Sequence, residues 1–108
     1  MVNTVTLVGR LTKDPELIEA ENESKRTIIN LAVPRNYKNS EGLYDCDFIR
    51  CVLWNGIAKK ATSYCKTGDI VAIRGRIQTR TYEGKNEEKK FVTEVIAEFL
   101  SFIHSKSE

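Results

Sequence analysis

Apolar and polar positions alternate at a period of two over most of this chain, which predicts strands. Val5–Leu11 places Val5, Leu7, Gly9 and Leu11 on one face and Thr6, Val8 and Arg10 on the other, with Gly9 the expected site of a bulge or bend. Thr27–Val33 turns Ile29, Leu31 and Val33 to a core, and Pro34 suits a strand end or edge because it has no N–H to donate. Asp47–Trp54 is the most informative stretch. Ile49, Cys51 and Leu53 face inward, while Phe48, Arg50, Val52 and Trp54 face outward, because an arginine is costly to bury without a partner. Asp69–Tyr82 forms a long strand whose even positions read Arg74, Arg76, Gln78, Arg80 and Tyr82, with no acid among them. Phe91–Ile103 closes the pattern. Phe91, Val95, Ala97, Phe99 and Ile103 share one of its faces, and Glu94 and Glu98 share the other with Val92, Ile96, Leu100 and Phe102. That second face is too apolar for full exposure, so a subunit contact or cover by another segment is expected.

One helix interrupts the strands. Asn55 is placed as its N-cap, and Ile57, Ala58, Ala61, Tyr64 and Cys65 recur on one side, with Lys66 suiting the C-terminal dipole and Gly68 the closing turn. The connections are polar: acidic Glu16–Lys25 reads as a loop unsuited to phosphate, and Arg35–Asp45 as a turn-rich hairpin loop. Five antiparallel strands with a single helix between the third and fourth predict an all-β, five-stranded OB-fold barrel. Residues 1–104 form one domain, without repeats or an internal linker, and 105–108 a short polar end.

A formal charge of +2 on 108 residues is too small to signal nucleic acid, so the distribution of charge has to carry that case. No apolar run approaches the roughly 20 residues that span a bilayer, no signal-peptide pattern opens the chain, and a cytoplasmic location is expected. Cys46, Cys51 and Cys65 lack C-x-x-C spacing and His104 is the single histidine, so neither a zinc site nor another cofactor is expected. Cys51 and Cys65 read as small buried hydrophobes, and Cys46 as a thiol beside two acids that oppose its ionisation.

The candidate chemistry lies in the outward strand faces. Two large aromatics flanking a cation, Phe48 and Trp54 around Arg50, are a poor device for solubility and a good one for unpaired bases, which stack on rings while the cation meets phosphate. Tyr82, at the end of the arginine run, and Tyr37, beside Lys38, repeat the pairing. Phe91, Phe99 and Tyr64 read as core residues, and Phe102 as core or interface.

Four segments, in order, resemble the bacterial-type single-stranded DNA-binding proteins over nearly the whole chain. Leu7–Leu17 is similar to that family's amino-terminal signature and Phe48–Trp54 to its central strand, while Gly75–Tyr82 and Phe91–Val95 resemble its fourth and fifth strands. The resemblance implies an OB-fold that assembles as a homotetramer, with a dimer the smaller alternative, and wraps single-stranded DNA without sequence preference in replication, recombination or repair, associated with the nucleoid. It places base stacking on Trp54, Phe48, Tyr82 and Tyr37, the last two standing where relatives often carry Trp or Phe. Arg10, Arg35, Arg50, Arg74, Arg76 and Arg80, with some of the lysines, are the candidates for phosphate.

Two features depart from the family. These residues hold no long tail with an acidic, hydrophobic tip, as in a trimmed or a naturally short form, so recruitment of replication proteins through such a tip is not expected of them. The Glu19–Glu23 stretch is acidic where relatives have a neutral, glycine-containing turn.

Three rival readings compete with the binding protein. An OB-fold nuclease would recruit metal through Asp14, Asp45, Asp47 and Asp69, but these sit at turns and strand starts, and no nucleophile–base pair accompanies them. An RNA-binding OB-fold would stack bases on the same rings. A protein-interaction module would have no use for the intact aromatic set.

Overall fold

A computed structural model describes residues 1–106. Its elements are β1 (Val5–Leu11), β2 (Ile18–Glu19), β3 (Lys25–Lys38), β4 (Tyr44–Trp54), α1 (Asn55–Tyr64), β5 (Ile70–Glu83) and β6 (Lys89–His104). The sheet runs β1-β5-β6-β4-β3-β2, and β1 also pairs with β3 through Arg10–Ala32 and Leu11–Leu31, so the five long strands close into the expected barrel. The helix lies between the third and fourth of those long strands; counting the two-residue β2, it follows β4. Among the described residues no helix is long and apolar enough to cross a membrane. Of the polar end 105–108, residues 107 and 108 lie outside the described residues.

Alternation sets the core. Ile29 and Leu31 from β3, Cys51 and Leu53 from β4, Val71 and Ile73 from β5, and Val95 and Ala97 from β6 are all buried, with Ala58, Ala61 and Cys65 arriving from the helix and the turn after it. Burial pushes the Cys51 thiol up to about 12 and raises that of Cys65, whereas Cys46 is exposed. Several sequence expectations are corrected. The pairing is not wholly antiparallel: β4 and β6 run parallel where Cys51 meets Val95 and Val52 meets Ile96. Gly9 carries no register shift against β5; it is needed because a Cβ there would come within 2.6 Å of the Ala32 carbonyl oxygen. Register irregularities lie instead in the β5–β6 ladder, between Ile70 and Val71 and between Arg74 and Gly75, and in the β3–β4 ladder between Pro34 and Lys38.

The second irregularity reverses the end of β6. Arg74 faces Phe99 but Gly75 faces Ala97, so Glu98 is extra, Leu100 turns into the core, and Phe99 turns out. Phe91 and Tyr64, also read as core residues, are exposed: Phe91 lies beyond the closed part of the barrel, and Tyr64 ends the short helix. Asn55 does not cap α1 in the ordinary way. It opens the helix at φ +49°, and its Oδ1 accepts a hydrogen bond from the Lys25 backbone N–H at 3.0 Å.

The expected loops are also more ordered. Pro34 does not end its strand; β3 continues to Lys38, past a register irregularity, and makes a long hairpin arm with Tyr44 onward. Asn39 closes the arm's tip, its side-chain oxygen accepting from the N–H groups of Glu41 and Leu43. The acidic segment contains β2, paired with Lys25 and Arg26, and a single turn at Glu21–Glu23.

Candidate nucleic-acid interface

The outward side chains of β3, β4, β6 and β5 make one continuous face because their registers interlock. Across β3 and β4, Arg26 pairs with Trp54, Ile28 with Val52, Asn30 with Arg50, and Ala32 with Phe48. Val52 adjoins Ile96 of β6, which pairs with Arg76 of β5; Gln78 then faces Glu94, Arg80 faces Val92, and Tyr82 faces Lys90. A groove of about 370 Å³ opens on this face. Its floor is apolar, formed by Ile28, Val52 and Ile96, and its walls carry Arg26 and Trp54 on one side and Arg50, Arg80, Gln78 and Glu94 on the other. Val52, expected to be exposed on this face, is buried because its cross-strand neighbours Ile28 and Ile96 flank it on the same face.

The aromatics differ in their freedom. Phe48 is 69% exposed, and Trp54 is 36% exposed with the Arg26 guanidinium 5.8 Å from its ring centre. Arg26 is also half-buried, and its Nε has no hydrogen-bond partner among the described residues. Tyr82, beside Arg80 at 5.9 Å, adjoins a second depression formed with Arg50, Arg80 and Val92. Tyr37 stands apart on the hairpin arm, where Lys38 lies 5.9 Å from the ring of Tyr44.

The six candidate arginines do not act as one group. Arg50 and Arg80 converge on Glu94, whose Oε2 accepts from Arg50 Nε at 3.0 Å and whose Oε1 accepts from Arg80 Nε at 3.1 Å. Glu94 is 5% exposed. Burial alone pushes its carboxyl up, but the two guanidinium hydrogen bonds and charges outweigh that and hold it below its usual range. Arg76 donates to Gln78 Oε1 at 2.8 Å and so borders the same region. Arg74 instead lies 5.0 Å from the ring centre of Phe99, which Lys60 also approaches at 5.9 Å. Arg35 forms a two-pronged pair with Asp47, closest at 2.8 Å, at the base of the arm. Arg10 donates to the Gly68 carbonyl at 2.6 Å and lines an apolar depression with Val8 and Pro34, outside the groove.

The acids weighed as metal ligands are engaged locally. Asp14 accepts from the backbone N–H and hydroxyl of Thr67, Asp45 from Asn39, Asp47 from Arg35, and Asp69 from the N–H groups of Lys66 and Lys106. Among the described residues no three acid, histidine or cysteine side chains are grouped to hold a metal.

Sequence reasoning missed Arg26, which falls just outside the expected strand, and Glu94, which alternation places on the mixed second face of the last strand without indicating a partner. The acidic segment, expected to lie away from phosphate, borders a depression with Arg26 and Trp54 through Ala20, Glu21 and Ser24.

Comparison with known proteins agrees with this geometry. The chain is 43% identical over 106 residues to "Single-stranded DNA-binding protein 3" of Listeria innocua, covering 98% of this chain and 66% of that protein. It is 42% identical over 106 residues to "Single-stranded DNA-binding protein 1" of Streptococcus pyogenes, with 98% and 82% covered. Against "Single-stranded DNA-binding protein 1" of Lactococcus lactis the identity is 43% over 105 residues, covering 97% and 70%. The chain thus spans about two thirds of the Listeria relative's length and somewhat more of the other two. With a family model matching residues 2–103 as well, the chain belongs to the single-strand binding protein family.

Proposed function

We propose that this protein binds single-stranded DNA without sequence preference, as a binding protein rather than an enzyme, and protects it during replication, recombination or repair. The observation that carries the reading is the continuous outer face of β3, β4, β6 and β5, on which Trp54 lines a groove walled by arginines, Tyr82 lines the depression beside it, and exposed Phe48 lies further along β4. Each base stacked on a ring contributes about 1–3 kcal/mol as judged by alanine substitution. Arg50, Arg76 and Arg80, with Arg26, take phosphates along this path, while Tyr37 and Arg35 extend it onto the arm and Arg10 and Arg74 contact strand only as it leaves the face. Residues 1–104 are the binding unit. Self-association into a tetramer is supported by exposed Val8, Phe99 and Ile103, apolar side chains on β1 and β6 that do not line the groove. A cytoplasmic, nucleoid-associated location follows from the ligand.

The test is a titration with oligo(dT), followed through the emission of Trp54, the single tryptophan, at several salt concentrations. Log affinity should fall against log salt with a slope near −0.7 for each phosphate neutralised. An RNA strand and a DNA duplex of matching sequence are the comparisons. Equal or tighter binding of either would overturn the assignment to single-stranded DNA.

A further inference from the structure

A buried acid at the centre of a surface built for phosphate has the wrong sign for simple attraction. Glu94 is such an acid, on β6 between Arg50 of β4 and Arg80 of β5. Both of its oxygens are used, one by each arginine, and both bonds run through Nε. The terminal amino groups of Arg50 and Arg80 make no hydrogen bond among the described residues, although the side chains are only 39% and 43% exposed. An arginine anchored by Nε keeps its two terminal nitrogens as a planar fork matched to a phosphate. Two guanidinium groups side by side also repel each other unless a shared counter-charge lies between them.

We propose that Glu94 is a positioning residue for DNA: it orients the Arg50 and Arg80 forks toward the strand and holds the two cations side by side. The inference rests on the single-stranded DNA reading and adds to it an acidic residue whose removal should weaken binding. Charge counting alone predicts the opposite, because losing a negative charge from the groove should strengthen phosphate attraction at every salt concentration.

Glu94→Gln separates the two accounts. The amide oxygen can accept from one arginine, but its NH₂ cannot accept from the other, so one fork loses its anchor. Oligo(dT) affinity should fall about tenfold, the scale of one charge-assisted hydrogen bond, and the salt slope should shrink by about 0.7 as one phosphate contact is lost. In an Arg80→Ala background the same change should have much less effect, a coupling that a general loss of fold would not produce. Unchanged or tighter binding by folded Glu94→Gln, beside a wild type that binds, overturns the positioning role and leaves the DNA reading standing. If the wild type does not bind oligo(dT), the DNA reading itself fails. Should Glu94→Gln not fold, Arg80→Lys decides: it keeps the charge and loses the fork, and an affinity equal to wild type overturns the proposal.

Discussion

Replacing Phe48 with alanine tests the proposed face with little interference from folding. Its ring is 69% exposed, and its cross-strand neighbour on β3 is Ala32, so the substitution removes few packing contacts. Surface changes of this kind shift stability by about 0.5 kcal/mol or less, so the melting temperature should move only by a few degrees. Against DNA the ring supplies a stacking platform worth about 1–3 kcal/mol, or roughly a 5- to 150-fold loss of affinity. Because no charge is removed, the salt slope should stay as in wild type, whereas Arg80→Ala should flatten it by about 0.7. Trp54 remains in place as the fluorescent reporter. Phe91→Ala is the matched control. Phe91 is 79% exposed, but alternation along β6 turns it away from Val92, which borders the depression with Arg50, Arg80 and Tyr82. Its loss should leave affinity unchanged. If Phe48→Ala binds oligo(dT) as tightly as wild type, or if Phe91→Ala weakens binding equally, the assignment of this face to stacking is wrong.

Three further outcomes follow from the barrel. Gly75→Ala should destabilise the fold by at least about 1–3 kcal/mol, read as a lowered thermal midpoint, because the new Cβ would meet the Ile96 carbonyl across the β5–β6 ladder; an unchanged midpoint would mean that the ladder yields there. In the native state a thiol reagent should modify Cys46 quickly and leave Cys51 and Cys65 protected, with all three reacting after denaturation. Because the folded Glu94 carboxyl is held below its unfolded value, its contribution to stability is present above the unfolded carboxylate range and is lost as pH falls through the folded one. Thermal melts should therefore show wild type more stable than Glu94→Gln near neutrality, with the gap closing in acid.

How far the sequence could be read depended on whether each fact was local. The inward set Ile29, Leu31, Cys51 and Leu53, and outward Phe48 and Trp54, are legible because regular alternation between adjacent strands decides them. Phe99 is illegible for the same reason: one extra residue at Glu98 inverts the phase, and Ala97-Glu98-Phe99 carries no glycine to mark the bulge. The parallel contact of β4 with β6 depends on how the barrel closes, which no strand's own pattern encodes.

Glu94 shows what that non-locality means for function. From the sequence, Arg50 faces outward because burying it without a partner is costly. Its direction is right, yet the guanidinium is half-buried, because a partner exists 44 residues along the chain, beside β4 only by virtue of the closure. A period-two pattern assigns each residue to a face but does not say which residue of another strand it will meet there. Arg50, Glu94 and Arg80 come from three strands, two of them running parallel, so their meeting is a property of the closed barrel. The rings on this face were identifiable one at a time, since an exposed aromatic can stack a base without help. An arginine presented as a fork needs an anchor, and the anchor could be recognised only after the strands were placed side by side.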